Sequence, residues 1–358
     1  MKMMGKTLRL LSGAIMATTL AAAAAAQQPT AHHWAIALHG GAGIIERAGM
    51  DPKTDAAYRA SLAQAAQAGS QVLNRGGSSL DAVEAAIRIL EDDPLFNAGR
   101  GAVFTADGKI ELDAAIMDGS NLKAGAVADV TRTRHPISLA RAVMEKSPHV
   151  FLAGTGADEF SVHASLEQVD PSFFFTERRW QSLVRELKKE GMPIPPRPAG
   201  TPPPPAVPVA EIEPPDAHKF GTVGVVALDR AGNIAAGTST GGTQAKRWGR
   251  VGDSPIIGAG TYASNQSCAV SATGTGEYFI RLGVAREVCN LVYFKGMTLQ
   301  KAADEVIHKE LTGLHGDGGV IAIAPDGQIA WSFNTPGMYR ARLAEGGKLE
   351  IGIYSDEP

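Results

Sequence analysis

Apolar and polar positions change period several times along the chain, and each change marks an element. Residues 34–38 form a short apolar run, predicting a strand that feeds His39-Gly40-Gly41-Ala42-Gly43. Residues 55–73 carry apolar positions at helical spacing and stop at Gly76-Gly77. Ser78 or Ser79 then caps a second helix that runs through Leu90. Residues 91–101 read as a loop, followed by a predicted hairpin, 102–104 with 109–112, turned at Ala106-Asp107-Gly108. Residues 113–130 are rich in small residues and partly strand. Residues 136–144 predict a helix, and 177–189 a charged, amphipathic one. Further on, alternation returns in 222–229 and 234–240, a hairpin turned at Asp229-Arg230-Ala231-Gly232-Asn233. A glycine-rich passage reaches Tyr262 and a strand covers 267–272. Helices are expected over 277–292 and 299–311, and a last hairpin pairs 320–324 with 328–333 across Pro325-Asp326-Gly327.

Two stretches stand outside this pattern. From Met192 to Pro215 nearly half of the residues are proline, which no packed helix or sheet tolerates. Residues 192–218 are therefore expected to be an extended, disordered linker. It separates a front part, 27–221, from a back part, 222–358. Strands, helices and again strands appear on either side of it. That pattern predicts an α+β fold of two facing sheets with helices outside, built jointly by both parts as one domain. The other exception is the first 26 residues. Lys2, Lys6 and Arg9 precede an apolar run and an alanine-rich end, the pattern of a secretory signal cleaved after Ala24 or Ala26. It predicts export, to a periplasm, with no membrane attachment after its removal.

Composition narrows the partners. A formal charge of −3 over 358 residues leaves no basic footprint for nucleic acid. Cys268 and Cys289 are the only cysteines. Export permits a disulfide, but one lies in a strand-like run and the other in a helix-like one, so two buried free thiols are expected. No Cys/His spacing suggests zinc.

The candidate chemistry centres on Gly221-Thr222-Val223-Gly224, directly after the proline-rich stretch. A threonine hydroxyl within a chain has no base beside it. Cleavage of the Gly221–Thr222 bond would expose an α-amine of pKa roughly 7.7–8.0, neutral often enough near pH 7.5 to serve as that base. Glycine before the nucleophile makes a strained scissile backbone least costly. Alone this is weak. It gains weight from five companions placed around it in chain order: His39-Gly40-Gly41-Ala42-Gly43, Phe96-Asn97-Ala98-Gly99-Arg100-Gly101, Thr238-Ser239-Thr240-Gly241-Gly242, Gly249-Arg250-Val251-Gly252-Asp253-Ser254-Pro255 and Thr273-Gly274-Thr275-Gly276-Glu277. With these six motifs the chain resembles the plant-type L-asparaginase / isoaspartyl peptidase family of N-terminal-nucleophile hydrolases, from Trp34 to Tyr354 apart from the linker.

The resemblance implies a four-layer αββα sandwich, cut between Gly221 and Thr222 into two chains that stay together as a dimer of α/β heterodimers. It implies hydrolysis of L-asparagine and β-aspartyl dipeptides through an ester on Thr222. Thr240 would orient the nucleophile, and Thr273 and Gly274 would form the oxyanion site. Arg250 would bind the substrate α-carboxylate, a match for the planar guanidinium fork, and Asp253 the α-ammonium. Asn97 would support the nucleophile's surroundings, although a loop-stabilising amide is an equal reading. No catalytic cofactor is implied. A structural sodium ion would sit on carbonyls of Leu90, Glu91, Asp93, Phe96 and Ala98.

Three other readings compete. Gly237-Thr238-Ser239-Thr240-Gly241 satisfies the serine-hydrolase elbow G-x-S-x-G, with His308 and His315 downstream, but glycine-rich sequence follows it instead of a helix. A glycosylasparaginase would be expected to carry an aspartate before the nucleophile and Thr-Gly-Asn-Gly-Asp where this chain has Thr273–Glu277. An exported amino-acid-binding protein would use Arg250 and Asp253 and never self-cleave. Lys246-Arg247-Trp248, bulkier and more basic than the family pattern, is expected to narrow the substrate mouth.

Overall fold

The computed structural model describes residues 32–205 and 221–357. The expected signal segment and residues 206–218 of the expected linker lie outside them. The described chain mixes helices and two sheets, an α+β fold as expected. Strands β1 (Ala35–Gly43), β2 (Leu112–Asp118), β3 (Ala124–Val130) and β4 (Phe151–Ala153) come from the front part. From the back part come β5 (Val223–Leu228), β6 (Ile234–Thr240), β11 (Gly337–Ala344) and β12 (Glu350–Tyr354). All eight form one sheet in the order β12-β11-β1-β5-β6-β2-β3-β4, so strands of the two parts interleave. A smaller sheet, β10-β9-β8-β7, is made of β7 (Thr261–Ala263), β8 (Ala269–Gly274), β9 (Gly318–Ile323) and β10 (Ile329–Phe333).

Period-two alternation assigns each strand's faces. In β5, Val223, Val225 and Ala227 join the core under helices α1 (Pro52–Asn74), α2 (Ser79–Asp92) and α3 (Pro136–Lys146), with Leu62, Val83, Ile87 and Ile137. Val226 and Leu228 instead meet Ile321 and Ile323 of the small sheet in a core dominated by alanine. The far face of the small sheet, Val270, Ala272, Val320 and Ala322, packs on α7 (Val284–Lys295) and α8 (Leu299–Asp304). Short helices α4 (Gly154–His163) and α6 (Gly276–Leu282) and the amphipathic α5 (Glu177–Lys189) complete the set.

Capping places α1 and α2. Asp51 accepts from the N–H groups of Lys53 and Thr54 ahead of Pro52, and Ser78, one of the two expected caps, forms a capping box with Asp81. Several expectations need correction. The single helix over 277–292 is two, because Gly283 adopts φ +62° and ends α6. The helix over 299–311 continues beyond α8 as a π-helical stretch, Glu305–Leu311. The hairpin before β2 keeps its turn but not its strands. Val103 N–H donates to the Asn97 side chain, and Thr105 bridges Lys246 rather than a partner strand. The sequence pattern does not predict strands β11 and β12.

The two cysteines are not free thiols. Cys268 and Cys289 form a disulfide, Cα–Cα 5.3 Å, tying the approach to β8 to helix α7. Strand and helix are packed face to face there, a proximity that element type alone does not exclude. Residues 192–205 take neither helix nor strand, and Arg197 of this stretch pairs with Glu177 of α5 at 2.5 Å.

Candidate active site

Thr222 stands immediately before β5, one step beyond the Val223–Ser239 pair of the β5–β6 ladder, so it faces Thr240. Its hydroxyl donates to Thr240 Oγ1 at 3.1 Å, and the Gly242 N–H donates to the same oxygen at 3.0 Å. Thr222 is 7% exposed. Alternation turns Thr222 and Thr240 toward the small sheet and Ser239 away from it. The Ser239 hydroxyl donates to Glu91 Oε1 at 2.6 Å on the helix side, and the strand continues through it. Ser239 is therefore no nucleophile elbow.

The Gly221–Thr222 peptide is clamped from two sides. Asn97 N–H donates to the Gly221 carbonyl at 3.1 Å. The Asn97 amide donates to the Gly242 carbonyl at 2.7 Å and accepts from Val103 N–H at 2.9 Å. Its side chain is thus a strut between loops, and its backbone holds the carbonyl that cleavage would attack. On the other side lies β1. The motif His39-Gly40-Gly41-Ala42-Gly43, expected to follow a strand, is part of it, and the ladder with β11 shifts register between His39 and Gly41. Such a bulge re-aims neighbouring groups. Gly41 (φ +112°) lies so close that a Cβ there would stand 2.6 Å from Gly221 Cα. Ala42 N–H donates to Thr273 Oγ1 at 3.4 Å.

The sequence marks His39 only as the first residue of its glycine-rich motif. It is fully buried, and Nδ1 lies 3.0 Å from the Thr222 carbonyl. A carbonyl only accepts, so Nδ1 carries the proton. Nε2 then accepts from the Ser271 hydroxyl at 2.9 Å, and Thr238 and Thr261 extend the chain of hydroxyls. Burial holds the imidazole pKa down at about 3, leaving the ring neutral. A Cβ on Gly224 would collide with Ser271, so that position of β5 has to stay bare. Asp113 was missed altogether. It pairs with Thr240 across β2 and β6, is buried, and accepts from Asp129 N–H at 3.0 Å. Desolvation pushes its carboxyl up to about 6. Cross-strand register with Thr240 was the signal that could have found it.

Thr273 and Gly274 close β8 on the same side, and Gly274 passes so near Asp317, Gly318 and Phe279 that no side chain fits. Arg250 and Asp253 lie in the turn before β7. Asp253 is buried, Oδ2 has no hydrogen-bond partner, and desolvation pushes its carboxyl up to about 7. Arg250 meets Glu277, with Nε to Oε1 at 2.9 Å and Nη2 to Oε2 at 3.0 Å. Of the basic run, Lys246 is buried between Glu111 and Asp129, Arg247 pairs with Glu190, and only Trp248 stands out, 96% exposed.

Among the described residues no cluster of three or more His, Cys, Asp or Glu could hold a metal. The turn after α2 offers carbonyls instead. Cβ atoms on Gly99 and Gly101 would collide with the Glu91 and Phe96 carbonyl oxygens, so the two glycines leave those oxygens an open cradle. That donor set suits a hard monovalent cation.

A family model described as asparaginase matches residues 32–353. An isoaspartyl peptidase of Escherichia coli (strain K12) is 47% identical over 322 residues, 90% of this chain and 96% of the relative. A probable isoaspartyl peptidase/L-asparaginase 2 of Arabidopsis thaliana is 42% identical over 334 residues, 90% and 99% of the two chains. An isoaspartyl peptidase/L-asparaginase of Homo sapiens is 40% identical over 300 residues, 83% and 89%.

Proposed function

The chain belongs to the asparaginase family, and from that premise we propose that the uncut chain is a precursor activated at Gly221–Thr222. The mature enzyme hydrolyses β-aspartyl dipeptides and the side-chain amide of L-asparagine, releasing L-aspartate. The observation that carries the reading is the Thr222 hydroxyl, bonded to Thr240 beside a peptide whose carbonyl is already held by the Asn97 N–H.

In the precursor, Thr222 Oγ1 adds to the Gly221 carbonyl carbon. The C–N bond breaks as the Thr222 hydroxyl proton passes to the departing nitrogen, an ester links Gly221 to Thr222, and water releases the Gly221 carboxylate. Asn97 N–H donates to the oxygen on which charge develops, and His39 Nδ1–H fixes the Thr222 carbonyl. The freed α-amine then takes the proton of Thr222 Oγ1 as it attacks the substrate's β-carbonyl. The amine or ammonia leaves with that proton, and water cleaves the aspartyl ester. Thr273 hydroxyl and Gly274 N–H stabilise the oxyanion, and removing one such donor typically costs on the order of 10²–10³ in turnover. Because Ala42 N–H occupies a lone pair of Thr273 Oγ1, the hydroxyl proton is left for the site. Arg250 binds the α-carboxylate and Asp253 the α-ammonium, which confines reaction to the side chain.

The three cores support a four-layer αββα sandwich. Carbonyls of Leu90, Glu91, Asp93, Phe96 and Ala98 would hold a sodium ion that stiffens the turn presenting Asn97. The Cys268–Cys289 disulfide supports an oxidising compartment and hence export. The working assembly is proposed as a dimer of α/β heterodimers.

Intact mass and N-terminal sequencing test the reading. Purified protein at neutral pH should give a fragment beginning Thr-Val-Gly-Val and should hydrolyse a β-aspartyl dipeptide. Thr222→Ala should do neither, while Ser239→Ala should do both. A stable, uncut wild-type chain would point to the binding-protein reading instead.

A further inference from the structure

The α-carboxylate receptor contains a second acid with no role assigned so far. Glu277, in the first turn of α6, takes the Nε and Nη2 side of Arg250 with both carboxylate oxygens, at 2.9 and 3.0 Å. The Arg250 side chain is 17% exposed and that of Glu277 56%. Nη1 points elsewhere, 3.5 Å from where a Cβ on Gly242 would stand and 2.7 Å from one on Gly252. Gly242 lies in the reaction site, since its N–H is bonded to Thr240 and its carbonyl to Asn97. A Cβ on Gly276 would stand 2.9 Å from both Arg250 Nη2 and Asp253 Oδ1. Glycines on three sides let the guanidinium lie flat between Glu277 and the reaction site.

A guanidinium has five N–H donors. Glu277 uses the Nε–H and one Nη2–H, which leaves both Nη1–H groups and the second Nη2–H. Those suffice for a second, end-on bidentate pair with another carboxylate. We propose that Glu277 is the positioning residue of the α-carboxylate receptor, gripping one edge of Arg250 so that its end edge is presented to the substrate. This rests on the reading of Arg250 given above. Glu277 shares the guanidinium with the substrate and does not compete for it. Without Glu277 the side chain gains rotamers, and substrate has to select the productive one.

The test is a double-mutant cycle on the full chain: wild type, Glu277→Ala, Arg250→Ala and the double variant, scored for self-cleavage, KM and kcat on a β-aspartyl dipeptide. Glu277→Ala should cleave itself as the wild type does and raise KM about tenfold, in line with the loss of a charge-assisted pair. The change in kcat should be smaller. Glu277→Gln, which keeps one acceptor oxygen and the side chain's shape, should lie between the two and serves if the alanine variant does not fold. In the Arg250→Ala background, removing Glu277 should change KM little. A fall in KM would mean that Glu277 blocks the receptor, and losses that add in the double variant would mean that it acts elsewhere; either overturns the proposal. So would loss of self-cleavage in a folded Glu277→Gln chain. A wild-type chain that neither cleaves nor hydrolyses sinks the functional reading instead. Titrating L-aspartate into the same four uncut proteins would then still measure the Arg250–Glu277 coupling.

Discussion

At the scale of the residue, the site is assembled from groups that are costly to bury. Asp253 is the clearest case, with a partnerless Oδ2 and a carboxyl pushed up to about 7 by desolvation. Between its unfolded value near 4 and about 7 the folded state binds more protons than the unfolded one, so its contribution to stability falls as pH rises through that window. Substrate binding runs the other way, because only the carboxylate pairs with an ammonium. KM for a β-aspartyl dipeptide should therefore rise as pH drops below about 7. Asp253→Asn should show weak, pH-insensitive binding and a higher Tm than the wild type at pH 8. A lower Tm would mean that the buried carboxylate has a stabilising partner within the protein. Asp113, the cross-strand neighbour of Thr240, is buried too, and desolvation pushes its carboxyl up to about 6. Stability is given up where binding needs an unsatisfied charge. Asp113, unlike Asp253, carries no motif in the sequence, and an aspartate in sequence carries no mark of burial.

At the scale of the element, two devices hold the catalytic groups in place. The bulge in β1 lets one strand place His39 on the Thr222 carbonyl, Gly41 on Gly221 and the Ala42 N–H on Thr273. The glycines of that motif were legible; the register shift they permit was not, since it depends on pairing with β11, a strand nearly 300 residues away. The second device is the disulfide between the approach to β8 and α7. A closed loop of this size contributes about 3 kcal/mol in the chain-entropy model. Cys268→Ser with Cys289→Ser should lower Tm by several degrees, and reductant should do the same to the wild type but not to the double variant. An unchanged Tm in both would mean that packing of α7 on β8 already holds the contact. The sequence points to free thiols because element type is local, whereas the bond depends on strand and helix being stacked.

At the scale of the molecule, cleavage at Gly221–Thr222 would sever the chain without severing the fold. β1 of the front part lies between β5 and β11 of the back part, and β6 of the back part pairs with β2. The two fragments should therefore co-elute in native gel filtration and separate only in denaturant; separation without denaturant would contradict the interleaved sheet. This interleaving also explains why the proline-rich stretch divides the sequence but not the core. The motifs, their order, the α+β character and most helices were determined by the sequence itself, because residue chemistry and periodicity are local properties. The tertiary structure decided which groups meet. Thr222 and Thr240 face each other through strand register, His39 and Asp113 join them from neighbouring strands, and Glu277 grips Arg250 across a turn. Each of these depends on pairings between distant segments, and no local pattern encodes which distant segment will arrive.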